Sequence, residues 1–282
     1  MITIATSTPA DAGEAWGIQL EDLRLGYGDL VVLDGIDTTI PGGVITAILG
    51  ESGGGKSTLL RHIIGLSRPM RGRILYGGKD LFALPGKQFR RARRRFGVLF
   101  QDGALLGSLT LAQNVGLPLS ENTDLPPATI RNAVLRTLKL VGLDDFADFY
   151  PNQLSGGMRK RGGLARAIVT EPPILFCDEP TSGLDPIHAA QMDQLLLDMK
   201  IQFPDMTIIV VTHDLASVAR IARRVLVLGA GRIVFSGSYE ELCAAKDPYL
   251  RDFVDRRAAR HTLQADPPDP AVREALAAWL RQ

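Results

Sequence analysis

Three short apolar runs predict an α/β fold with a largely parallel central sheet. Residues 44–49 (VITAIL), 174–177 (ILFC) and 207–212 (TIIVVT) are rich in Val, Ile and Leu, the character of strands buried on both faces. The first enters the glycine-rich run Gly50-Glu51-Ser52-Gly53-Gly54-Gly55-Lys56-Ser57, after which residues 58–64 (TLLRHII) continue as a helix. The second ends in the adjacent carboxylates Asp178 and Glu179, and the third in His213-Asp214. Polar groups at the C-terminal ends of parallel strands face the crevice where such sheets bind ligands.

Composition narrows the class. At 282 residues the chain can bury a sizeable core, and 45% hydrophobic with 22% charged residues describes an ordinary globular protein. A net charge of +1 supplies no whole-molecule field for nucleic acid, so no nucleic-acid partner is expected. Apolar runs stay well short of the roughly 18 residues of a membrane span. Residues 1–16 lack a basic start and an apolar core, so a cytosolic chain is expected. Cys177 and Cys243 have no metal-ligand spacing, and Cys177 falls inside a strand as a small buried hydrophobe.

In chain order, residues 1–16 read as a flexible leader. Ile18 to Ile40 alternate as an antiparallel β region, with a turn at Gly26-Tyr27-Gly28-Asp29. Pro41-Gly42-Gly43 turns the chain into the central strand, and residues 72–78 (GRILYGG) form another short strand and turn. Five arginines in residues 90–95 (RRARRR) suit either phosphate binding or the solvated end of a helix; without a matching basic stripe elsewhere, the helix end is preferred. Residues 96–100 (FGVLF) are strand-like and lead to Gln101. Residues 128–142 place Ile130, Val134, Leu138 and Val141 on one helical stripe, with Gly142 as its stop. Ser155 caps a helix beginning near Gly156-Gly157, Arg224–Leu228 and Arg232–Ser236 pair as a hairpin, and Ser238 with Glu241 has capping-box spacing. No long repeat is apparent, so the chain reads as one unit and not a tandem pair.

The chemistry centres on Gly50 to Ser57, which fits G-x-x-x-x-G-K-[ST] in the strand–loop–helix setting this motif requires. Its glycines let backbone N–H groups turn onto phosphates, Lys56 reaches the terminal phosphates, and the Ser57 hydroxyl can ligate Mg²⁺. Asp178 can hold Mg²⁺ through water and Glu179 can orient or deprotonate an attacking water. His213 sits where a polar role at the γ-phosphate fits. Ser155, Gly156 and Gly157 make a second anion site at a helix N-terminus, although alone they would read as an ordinary capped helix.

In this order the pieces resemble the ATP-binding subunit of an ABC (ATP-binding cassette) transporter, from about Ile18 to Leu242. The resemblance implies a P-loop NTPase (RecA-like) core with an antiparallel β region and an inserted α-helical subdomain. It implies an ATPase domain over 17–244, the helical subdomain at about 90–170, and a C-terminal extension over 245–282. It assigns Gly50, Glu51, Ser52, Gly53, Gly54, Gly55, Lys56, Ser57 and Thr58 to the nucleotide, Tyr27 to adenine stacking, and Gln101 to Mg²⁺ and the attacking water. It makes Ser155, Gly156 and Gly157 the signature, Asp178 a magnesium ligand, Glu179 the catalytic carboxylate, Asp185 part of the D-loop and His213 the switch histidine. The signature departs from the common LSGGQ at Met158, which leaves its phosphate-facing residues unchanged.

Residues 95–121 (RFGVLFQDGALLGSLTLAQNVGLPLSE) and 154–168 (LSGGMRKRGGLARAI) are similar to ATPases of Mla-type and Mce-type lipid transporters. That similarity implies ATP and Mg²⁺ as cofactors and a head-to-tail homodimer. It also implies an integral membrane permease, a periplasmic lipid-binding protein with an Mce domain, and a peripheral place on the cytoplasmic face of the inner (cell) membrane. An amino-acid or metal importer ATPase is the alternative within transporters. Soluble ABC proteins of ribosomes or DNA usually carry tandem cassettes or a long coiled-coil insertion, which this chain lacks. A P-loop phosphotransferase would leave LSGGM and SGLDP without a role. In the C-terminal extension, Asp269 and Pro270 are suited to start a helix bearing Val272, Leu276, Trp279 and Leu280 on one face. Its apolar stripe would dock on its own cassette or cross to a second protomer.

Overall fold

The computed structural model describes residues 16–51 and 53–255; Ser52, the leader except Trp16, and the helix expected after Pro270 lie outside the described residues. Contacts divide the chain into two units, Met1–Ala244 and Ala245–Gln282.

The first unit begins with the antiparallel pair β1 (Ile18–Tyr27) and β2 (Leu30–Ile40), followed by β3 (Ile45–Gly50) and helix α1 (Lys56–Ile63). Strand β1 runs through Gly26 and Tyr27, so the turn narrows to Gly28-Asp29, with Gly28 at φ +56°. Next come β4 (Arg71–Tyr76), the short β5 (Lys79–Asp80), α2 (Gly86–Arg93) and β6 (Phe96–Leu99). The arginine run is a helix end: α2 buries no residue, and Arg93 stacks on Phe89. Three helices follow: α3 (Leu111–Asn122), α4 (Pro127–Leu140) and α5 (Gly156–Ile168). The unit finishes with β7 (Ile174–Asp178), α6 (Pro186–Gln202), β8 (Thr207–Val211), α7 (Leu215–Ile221), β9 (Arg224–Gly229), β10 (Arg232–Gly237) and α8 (Tyr239–Ala244). The second unit's described part holds α9 (Pro248–Val254).

Two sheets organise these elements. A four-stranded antiparallel sheet has the order β2-β1-β4-β5, and a six-stranded sheet has the order β10-β9-β3-β8-β7-β6. In the larger sheet every pairing is parallel except β10 with β9. Central strands β3 and β8 are buried at every position, which is why they read as continuous apolar runs without alternation. The register puts Leu99 opposite Cys177, Asp178 opposite Val211, and Ile48 opposite Val211. Polar residues just after β3, β6, β7 and β8 therefore emerge along one edge of the sheet.

Two apolar clusters hold the unit together. In one, Leu23, Leu25 and Leu33 of the antiparallel sheet meet Leu59 and Ile63 of α1 and Phe176 of β7. The other joins Leu175, Ile208 and Val210, on the opposite face of the large sheet, to Val115, Leu138 and Leu164 of the three helices. Helix α5 also crosses the loop after β6 at a pair of glycines: a Cβ on Gly163 would lie 2.7 Å from the Gly103 Cα. Arg166 fastens that crossing by donating to the carbonyl oxygens of Gly103 (3.0 Å) and Ala104 (2.7 Å).

Candidate nucleotide site

The loop between β3 and α1 has the shape its glycines permit. Gly53 and Gly55 have φ of +78° and +91°, left-handed values that side chains disfavour. Gly55 is the N-cap of α1, so the helix begins at Lys56 with its positive end toward the loop. Lys56 is buried and donates to the carbonyl oxygens of Gly50 and Glu51, each at 2.8 Å. Burial lowers the Lys56 pKa, and the negative charges of Glu179, Asp178 and Glu51 oppose that fall. Ser57 is exposed in the first turn and Thr58 is buried. Tyr27, 43% exposed, has its hydroxyl 3.5 Å from Thr58 Oγ1, so an aromatic face stands beside the start of α1.

Across the sheet edge, Asp178 ends β7 and Glu179 follows it. Burial first and the Glu179 charge second raise the Asp178 pKa, against the pull of Arg61, Lys56 and Lys160. A cation beside Asp178 would relieve that cost. Among the described residues no cluster of three or more His, Cys, Asp or Glu could hold a metal. Mg²⁺ carried by a nucleotide takes phosphate oxygens and waters as most of its ligands and needs few from protein, a set that the Asp178 carboxylate with the Ser57 hydroxyl and the Gln101 amide oxygen could supply.

Glu179 adopts φ +48°, a left-handed conformation uncommon outside glycine. Its N–H donates to Val211 of β8 at 2.8 Å, and its carbonyl accepts from Ser182 N–H at 3.2 Å and Lys160 Nζ at 3.0 Å. His213 Nδ1 lies against both carboxylate oxygens of Glu179, hydrogen-bonded to Oε1 at 3.0 Å and 2.9 Å from Oε2. Oε2 is buried and makes no other hydrogen bond, so it keeps lone pairs free to accept. A buried carboxylate oxygen left to accept is suited to a water proton. Gln101 is exposed two residues beyond the end of β6.

The remaining expected residues gather elsewhere. Ser155 caps α5, its Oγ accepting from Met158 N–H at 3.2 Å, and Gly156 is exposed. Gly157 lies beside Leu184 and His188. Asp185 caps α6 by accepting from the Ile187 and His188 N–H groups at 3.0 and 3.1 Å, and pairs with the His188 ring. That pairing holds its carboxyl below the usual range. The structure thus forms two groups, one around Lys56, Asp178 and Glu179, the other around the N-termini of α5 and α6.

Three participants escaped the sequence reading. Lys160 follows from periodicity: positions 160, 164 and 168 share one helical face, and Leu164 and Ile168 make it buried. Asn114, fully buried, donates to the carbonyls of Leu106, Leu109 and Thr110 and accepts from Leu106 N–H, shaping the loop after Gln101. Its helix was announced by the capping box of Thr110 and Gln113. Buried Asp193 accepts from Ser217 at 2.5 Å and pairs with Arg220, joining α6 to α7.

A sheet of this order with a phosphate loop, a carboxylate pair and a second glycine-led helix defines an ATP-binding cassette. The chain belongs to the ABC transporter family, which it matches over residues 33–182, and it is an ABC-type ATPase. It is 41% identical over 240 residues to the probable ribonucleotide transport ATP-binding protein mkl of Mycobacterium tuberculosis, covering 85% of this chain and 67% of that protein. It is 39% identical over 238 residues to the intermembrane phospholipid transport system ATP-binding protein MlaF of Escherichia coli, covering 84% of this chain and 88% of that protein. Among solved structures it resembles the dimeric post-hydrolysis state of the cassette MJ0796 bound to ADP and Pi. That match has 31% identity and a TM-score of 0.72, covering 79% of this chain and 98% of the other.

Proposed function

We propose that this ATPase energises lipid transport, with phospholipid as the cargo, through a separate membrane permease. The observation that carries the cargo is the likeness to MlaF, which extends over 88% of that protein. In this reading the chain sits peripherally on the cytoplasmic face of the inner membrane. Consistent with a separate permease, no helix of the described residues is long and apolar enough to cross a bilayer. A periplasmic lipid-binding protein with an Mce domain completes the assembly. The name of mkl supplies a second reading, ribonucleotide transport, at similar identity.

The mechanism follows from the two groups of residues. Two copies pair head to tail, so that Ser155, Gly156 and Gly157 of one close the phosphate loop of the other with helix-terminal N–H donors. Tyr27 stacks on adenine, and the N–H groups of residues 50–57 with Lys56 hold the phosphates. Ser57, Asp178 and Gln101 would hold Mg²⁺, which would supply positive charge against the phosphates. Glu179, its Oε1 fixed by His213, takes a proton from the attacking water through Oε2. Loss of the γ-phosphate removes the link between protomers and lets them part. A groove formed by residues 102–119 receives a cytoplasmic helix of the permease and transmits that opening.

Glu179→Gln tests the chemistry. ATP binding should persist, turnover should fall about 100-fold or more, and ATP should trap the dimer. Hydrolysis at near wild-type rate would remove Glu179 from this role. The cargo is tested by isolating the chain with its permease from gently solubilised membranes and extracting bound lipid. Co-purified phospholipid, with ATPase activity that responds to it, is expected; a complex that holds no lipid and responds to ribonucleotides overturns the lipid reading.

A further inference from the structure

Glu179 holds its left-handed backbone because neighbours fix its N–H, its side chain and its carbonyl. Val211 of β8 holds the N–H, and His213, just beyond the same strand, holds the side chain. The carbonyl is held by Ser182, in the turn that follows β7, and by Lys160, a residue of α5. Strained backbone of this kind persists only where its surroundings over-determine it. Lys160 is therefore part of what keeps Glu179 in place, and it belongs to the helix whose N-terminus carries Ser155, Gly156 and Gly157.

We propose that Lys160 is a positioning residue for hydrolysis. It ties the backbone of Glu179 to the signature helix, so that Glu179 is correctly set only when α5 is seated. This rests on the reading of Glu179 given above and extends it. Lys160 is 6% exposed. Burial lowers its pKa, and the charges of Asp102, Glu179 and Asp178 oppose that fall, so the ammonium that holds the Glu179 carbonyl is kept protonated by the acidic groups around the site. In the head-to-tail dimer, α5 of one protomer contacts the nucleotide of the other, while Lys160 of that same helix reaches its own protomer's Glu179. Binding at one site thereby sets the geometry of the base at the second.

The test compares Lys160→Met, which keeps the length and apolar stem without the donor, with Lys160→Arg, which keeps a cationic donor. In Lys160→Met, kcat should fall roughly 10- to 100-fold, the loss that follows a misplaced catalytic group, while KM for ATP stays within about threefold. Lys160→Arg should recover most of kcat. In a Glu179→Gln background, Lys160→Met should still bind ATP and form the trapped dimer, which shows that folding and binding survive. The proposal is overturned if Lys160→Met keeps kcat within about twofold of wild type, if Lys160→Arg is as impaired as Lys160→Met, or if the double variant cannot bind ATP. Failure of Glu179→Gln to stop turnover would instead overturn the assignment of Glu179.

Discussion

Replacing glycine by alanine at two positions of the phosphate loop separates backbone strain from crowding. Gly53 and Gly55 have similar left-handed φ values, +78° and +91°. A Cβ on Gly53 meets nothing within 4 Å, whereas a Cβ on Gly55 would lie 2.7 Å from Leu33 Cδ2 and 2.9 Å from Leu33 Cγ. Leu33 is fully buried in the cluster beneath the antiparallel sheet and has little room to retreat. Gly53→Ala should therefore cost only the conformational term, about 1–2 kcal/mol. Gly55→Ala adds overpacking of about 1–3 kcal/mol, for a total of about 2–5 kcal/mol. At roughly 2–4 °C per kcal/mol for a chain of this size class, Tm should fall by about 2–8 °C and 4–20 °C respectively. Differential scanning calorimetry of the full chain without nucleotide measures both. Equal melting temperatures for the two variants would refute the argument that contact with Leu33 sets the difference.

Lys56→Ala should weaken binding of a non-hydrolysable ATP analogue about 10- to 100-fold by titration calorimetry, since hydrogen bonds from a charged group to the phosphates are lost; unchanged affinity would remove Lys56 from the site. Asp34 lies 2.6 Å from Arg24 and 3.4 Å from Arg71, and its pairing with Arg24 lowers its pKa below the ordinary 3.8. A depressed folded value means that its stabilisation is present above about pH 3.8 and is lost as pH falls through the lower folded value. The Tm advantage of wild type over Asp34→Asn should accordingly be small at pH 7, because the pair is exposed, and should vanish in acid. An advantage that is the same at pH 7 and pH 3 would rule out the ion pair as its source.

Much of the architecture was legible because the local signals agreed. The strands ending at Gly50, Asp178 and Val211 are buried on both faces, and a run of Val, Ile and Leu has no other comfortable setting. The phosphate loop was legible for the same reason: strand, glycines, lysine and helix follow without a break. Helix α3 was harder to see because Pro118 interrupts its interior, although Thr110 and Gln113 mark its start. Helix α6 hides its apolar residues among polar ones on a weakly patterned surface, and the Asp185-Pro186 pair that begins it also belonged to a functional motif. Lys160 acts through a contact 19 residues away, with the Glu179 carbonyl, which no local pattern encodes, whereas Asn114 bonds within its own neighbourhood at 106–110 and was hidden only because a buried polar side chain does not stand out in an amphipathic stretch.

The glycine crossing of α5 over the loop after β6 has a mechanical consequence. With no side chain between Gly163 and Gly103, and with Arg166 bridging to two carbonyls, helix and loop act as a welded joint. Any turn of α5 relative to the sheet would carry residues 103–104 with it, so the bending would fall to the three residues between that joint and the end of β6: Phe100, Gln101 and Asp102. Gln101, at the middle of this short stretch, would then change its reach at the sheet edge as α5 turned.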